Sequence, residues 1–100
     1  MTKLINRRSL IEMVEKQFTI IDEAGIHARP AAMLVSVANK FASDIKLVHN
    51  EKHVNLKSIL GVMSLGIALG AEFKINADGT DEQDALNELE KTLKEEGLAK

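Results

Sequence analysis

The sequence predicts an α+β fold, a four-stranded antiparallel sheet with three helices on one face, in the order β-α-β-β-α-β-α. Three observations predict it. Ala71, Phe73, Ile75 and Ala77 alternate with Glu72, Lys74, Asn76 and Asp78, the period of a strand with one buried and one wet face. Leu34, Val37, Ala38 and Phe41 recur at i, i+3, i+4 and i+7, the single apolar stripe of a core-facing helix. Leu86, Leu89 and Leu93 repeat that helical spacing near the end of the chain. Because each strand has one apolar face, the helices must all cover the same side of the sheet. The result is a two-layer split βαβ core with an added terminal helix.

The elements follow in order. Residues 1–12 carry Lys3, Arg7 and Arg8 but no apolar run long enough for a signal peptide or a membrane span. They read as a floppy extension or an upstream-start artefact, and residues 13–100 as the domain proper. In residues 16–22, Phe18 and Ile20 alternate with Gln17 and Thr19, a first strand. Gly25 suits a tight turn, and Pro30 suits the first turn of a helix over 31–41, with Met33 at the margin of its stripe. Ala42-Ser43-Asp44 breaks the pattern before strands at 45–49 and 52–56, joined by Asn50-Glu51. A type I′ turn prefers Gly where Glu51 stands, which implies another turn type or strain. Ser58 precedes a short helix over 59–65, ended by Gly66 or Gly70. After the strand at 71–78, Thr80 and Gln83 have the spacing of a capping box, with Asp81, Glu82 and Asp84 at the positive end of the helix dipole. Gly97 fits the C′ position of the last helix.

One hundred residues support one domain, and 45% hydrophobic with 28% charged residues reads as soluble and globular. Three Phe and no Trp or Tyr leave a mainly aliphatic core. A net charge of −2 argues against a nucleic-acid polyanion as main partner. The lack of Cys excludes disulfides, thiolate chemistry and cysteine metal sites, which suits a cytoplasmic protein. His49 and His53 flank the Asn50-Glu51 turn without a definite third ligand, so they read as surface strand residues and no metal or cofactor is expected.

The chemistry concentrates in Gly25-Ile26-His27-Ala28-Arg29-Pro30-Ala31. His27 falls at or beside a helix N-cap and Arg29 in the first turn. Free backbone N–H groups, the positive end of a helix dipole and a guanidinium then converge on one imidazole, an arrangement that favours a dianion. The same surroundings disfavour a second proton on the ring and keep it nucleophilic. A phosphoryl-accepting histidine is the sharp reading, and a capping histidine beside a solvated arginine is the plain one.

That stretch resembles the active-site signature of HPr, the phosphocarrier of the sugar phosphotransferase system. A second block, Val54-Asn55-Leu56-Lys57-Ser58-Ile59-Leu60-Gly61-Val62-Met63-Ser64-Leu65-Gly66, resembles the regulatory-serine segment of that family in Gram-positive bacteria. The resemblance implies an open-faced β-sandwich. It implies a carrier that is no enzyme itself, in which His27 takes a phosphoryl group from phosphorylated enzyme I and passes it to enzyme IIA domains, with Arg29 stabilising the phosphate. It further implies that HPr kinase/phosphorylase modifies Ser58, creating a determinant for catabolite control protein A. Ile59, Leu60 and Met63 would form the apolar partner patch of a monomeric protein. Ala24 departs from the family, which often carries Ser or Thr there, so the anion would rely on backbone N–H groups and Arg29. A purely regulatory adaptor acting through Ser58 is the alternative, weakened by the presence of His27.

Overall fold

The strand with the clearest alternation lies inside the sheet. In the computed structural model, which describes residues 13–100, β1 (Val14–Thr19), β2 (Asp44–His49), β3 (Lys52–Asn55) and β4 (Glu72–Asp78) run in the order β1-β4-β2-β3, every neighbouring pair antiparallel. The expectation for residues 1–12 lies outside the described residues. Helices α1 (Ala28–Ala38), α2 (Ile59–Met63) and α3 (Glu82–Glu95) complete the predicted β-α-β-β-α-β-α order. The register sets Phe18 opposite Phe73 and Leu47 between Ile75 and Val54. The Phe18 and Phe73 rings stack with centroids 5.6 Å apart. Leu34, Ala38, Ile45, Leu56, Leu89 and Leu93 close over that face with no exposed surface.

Element boundaries differ from the sequence expectation in physically informative ways. β1 starts at Val14, opposite Ala77, and ends at Thr19. Beyond it the chain leaves β4 and meets the C-terminus: Ile20 bridges to Ala99, and Thr19 and Lys100 exchange both backbone hydrogen bonds at 2.8 and 3.0 Å. Helix α1 begins three residues before 31, because Pro30 in the first turn forfeits no hydrogen bond and lets Ala28 and Arg29 be helical ahead of it. It stops at Ala38, so Phe41 lies beyond the helix. Ala31, Leu34, Val35 and Ala38 are the buried stripe, while Val37 and Phe41 are only half-buried.

The expected Thr80–Gln83 capping box does not form. The N-cap of α3 is Asp81, and its carboxylate does not cap the helix. Instead it accepts the Ala42 and Ser43 N–H groups at 2.8 and 3.0 Å and the Ser43 hydroxyl, stapling the α1–β2 connection to the start of α3. The reach-back role shifts by one residue, with Glu82 Oε1 accepting the Gly79 N–H at 3.0 Å, while the Gln83 amide donates to Asn87. At the other end Gly97 (φ 66°) is the C′ residue expected. Leu98 N–H reaches Leu93 C=O and Gly97 N–H reaches Lys94 C=O, a Schellman motif. The β2–β3 turn takes the strained option: Asn50 and Glu51 both have positive φ, 50° and 68°, as a primed turn requires. No helix of the described residues is long and apolar enough to cross a membrane.

Candidate functional site

The turn before α1 is built around a close approach that only glycine permits. Gly25 has φ 68°, and a Cβ there would lie 2.4 Å from Ile67 O and 2.9 Å from Ala68 Cα. Ile26 anchors the turn from the other side, buried and donating its N–H to Ile67 C=O at 2.9 Å. Asp22 closes it, accepting the Gly25 N–H on its carbonyl and the Ala24 N–H on its carboxylate, at 3.0 and 2.8 Å. The residue that follows, His27, is the N-cap of α1, as the sequence predicts. Its backbone is extended and its ring makes no capping hydrogen bond. The ring is exposed and has no hydrogen-bond partner among the described residues.

The first intrahelical bond runs from Ala31 N–H to His27 C=O. Pro30 has no N–H, so the Ala28 and Arg29 amides form the donor end of the helix, and no acceptor meets them among the described residues. Arg29 is exposed and forms no ion pair among the described residues. His27 and Arg29 line one cleft of about 110 Å³ with Pro30, Met33, Leu98, Asp22 and Glu96. The sequence reading identified the histidine and arginine but missed both carboxylates. Glu96 reaches the cleft from the far end of the chain, and Asp22 was read only as the end of a strand.

Ser58 is the N-cap of α2, with its Oγ accepting the Gly61 N–H at 3.1 Å. It does not adjoin His27. The neighbouring Lys57 ammonium donates to Phe41 C=O, just past the C-terminal end of α1, whereas His27 is at the N-terminal end of that eleven-residue helix, about 16 Å of helix away. Helix α2 packs against α1 through Val62, its one buried side chain. Ile59, Leu60 and Met63 face outward, Leu60 with 82% of its surface exposed. Ile59 and Met63, each 42% exposed, are therefore not core residues. The sequence reading missed Ile21 and Leu69, also exposed. The bond from Gly70 N–H to Ile20 C=O draws their two segments together. The signal was the outward phase of Ile21 beside inward Ile20.

His49 and His53 do not line this cleft, and the register turns them to opposite faces of the β2–β3 hairpin, His49 paired with Lys52 and His53 with Val48. His49 Nδ1 is 3.0 Å from Glu72 C=O, and His53 is exposed. No group of three metal-ligating side chains forms among the described residues.

Comparison with known proteins gives a consistent answer. Residues 14–95 match the family model described as the PTS HPr component phosphorylation site. The chain is similar to the histidine-containing phosphocarrier protein of Mycoplasma, at 41% identity over 85% of this chain and 97% of that one, with a TM-score of 0.83. It is similar to the phosphocarrier protein HPr of Bacillus anthracis, at 41% identity over 80% and 95% of the two chains (TM-score 0.75). It is also similar to Crh, the Bacillus subtilis catabolite repression protein, at 47% identity over 75% and 86% (TM-score 0.66). With one family model spanning both sequence blocks and the sheet order and helices of its members reproduced, the chain belongs to the HPr phosphocarrier family of the phosphotransferase system.

Proposed function

We propose that this chain carries a phosphoryl group on Nδ1 of His27, received from phosphorylated enzyme I and donated to enzyme IIA domains during sugar uptake. The observation that carries this reading is the exposed imidazole of His27 beside the Ala28 and Arg29 amides and the Arg29 guanidinium, none of which has a hydrogen-bond or ion-pair partner among the described residues. His27 acts as nucleophile and then as leaving group. The donors at the helix end and Arg29 hold the anionic oxygens in both directions. A cleft of this size suits a carrier, whose nucleophile must enter the active sites of other proteins. The phosphocarrier domain is residues 13–100, and the protein acts in the cytoplasm as a monomer. The proposed partner surface is Ile59, Leu60 and Met63, which α2 holds exposed.

Ser58 is the proposed regulatory site, phosphorylated by HPr kinase/phosphorylase and then presented to catabolite control protein A. Its place at the opposite end of α1 from His27 means that a phosphate there acts on docking. Direct contact with the transferred group is not involved. The similarity to Crh favours a second reading, a regulatory adaptor working through Ser58 alone; the presence of His27 weighs against it. Incubation with enzyme I and labelled phosphoenolpyruvate separates the two. The expected result is acid-labile label on the parent and none on His27→Ala, which keeps its fold because the ring contributes nothing to the core. Label that persists on His27→Ala would refute the assignment, and an unlabelled parent would favour the adaptor.

A further inference from the structure

The cleft beside His27 contains a feature at odds with anion binding: two carboxylates, Asp22 and Glu96, line it together with Arg29. Asp22 is the more constrained. It is half-buried, and one carboxylate oxygen accepts the Ala24 N–H at 2.8 Å. That bond takes up a backbone donor two residues before Ile26, at a position whose own side chain, a methyl, offers none. The Gly25 N–H is likewise spent on the Asp22 carbonyl. The turn thus keeps a fixed negative charge over the site and withholds two of its N–H groups from an incoming phosphate.

We propose that the Asp22 carboxylate sets the phosphoryl-transfer potential of His27, lowering the stability of the phosphorylated form so that the group passes on readily. This rests on the reading of His27 as phosphoryl acceptor. In the step concerned, a lone pair of the His27 ring forms the N–P bond as the donor's bond to phosphorus breaks and that electron pair returns to the donor. No oxidant or reductant enters. The ring gains a phosphoryl dianion, and each negative charge on the wall of the cleft then opposes it. Arg29 attracts the same group, and among the described residues Glu96 is the other charged side chain lining the cleft. Asp22 acts through the field alone and needs no contact with the phosphorus or its oxygens.

The plain alternative is that Asp22 only braces the turn. Asp22→Asn separates the two, since the amide oxygen can still accept the Ala24 N–H while the charge is gone. The readout is the equilibrium of phosphoryl exchange between parent and variant, catalysed by enzyme I and resolved by native electrophoresis. A unit charge opposing a dianion across a wet cleft corresponds to about three- to tenfold. We expect the exchange constant to favour phosphorylated Asp22→Asn by that factor. The preference should shrink in about 1 M salt, where the screening length is about 3 Å. Asp22→Ala should show the same shift with a lowered melting temperature, because the hydrogen bond is lost as well. An exchange constant of one for Asp22→Asn, or a preference for the parent, overturns the proposal while a labelled parent leaves the role of His27 standing. A parent that takes up no label on His27 overturns both.

Discussion

Replacing Gly25 by alanine tests whether the close approach of the His27 turn to the 67–68 segment is what organises the site. The φ of 68° costs an L residue about 1 kcal/mol. The new Cβ also meets backbone, 2.4 Å from Ile67 O, and neither partner is a flexible side chain that can swing away. The turn must lift, which breaks the 2.9 Å bond from Ile26 to Ile67, a loss of about 1 kcal/mol, and draws Ile26 out of the core. A destabilisation of about 3 kcal/mol follows, against total stabilities of about 5–15 kcal/mol for such domains. For a chain of this size that is a fall in melting temperature of about 12–24 °C. Gly97→Ala is the control: φ is 66°, but nothing lies within 4 Å of the added methyl, so only the backbone penalty of about 1 kcal/mol applies. Urea unfolding of both variants gives the difference. Phosphoryl acceptance at 10 °C, where Gly25→Ala remains folded, should fall at least about tenfold because His27 is displaced from the donor groups around it. Equal destabilisation by the two alanines, or parent-like acceptance by Gly25→Ala, would show that the clamp does not organise the site.

Arg29→Lys keeps the charge but loses the planar fork, so transfer should slow about tenfold in stopped-flow measurements with enzyme I, and Arg29→Glu should be far slower. Parent rates in both would remove Arg29 from the phosphate. Ser58→Ala loses the cap to Gly61 and should cost about 1 kcal/mol in thermal melts while keeping its transfer rate. Ser58→Asp should melt at or slightly above the parent temperature, since a carboxylate suits the helix start, yet accept phosphate more slowly through weaker docking. The Ser43 hydroxyl first, then the Ala42 N–H and the Ser43 N–H, hold the Asp81 carboxyl below the usual aspartate range. The unfolded chain therefore takes up that proton first. The stabilisation is complete above about pH 4 and is lost as pH falls below it. Asp81→Asn should flatten the acid limb of a stability–pH curve, and an unchanged limb would refute the clamp as its source.

The sequence by itself determined which face of β4 and of α3 is apolar, because that information is local and periodic. The alternation from Ala71 to Ala77 and the spacing of Leu86, Leu89 and Leu93 needed no knowledge of the rest of the chain, and all of these except the half-buried Ala71 are buried. The same is true of His27 and Ser58 as helix caps, since a cap is defined by the few residues after it. Only the tertiary structure decided what depends on residues far apart in the chain. Asp81 meets Ala42 and Ser43 because β2 and β4 are neighbours, so a carboxylate expected only to favour the helix dipole is instead a staple between elements. Thr19 pairs with Lys100, a contact that no periodicity within either segment encodes. Five residues of α2 give too few turns for a pattern to select a face, so packing of Val62 alone exposed Ile59, Leu60 and Met63. Glu96 joins Asp22 beside His27 for the same reason: a cleft belongs to the assembled layers, and its charges come from wherever the chain returns to them.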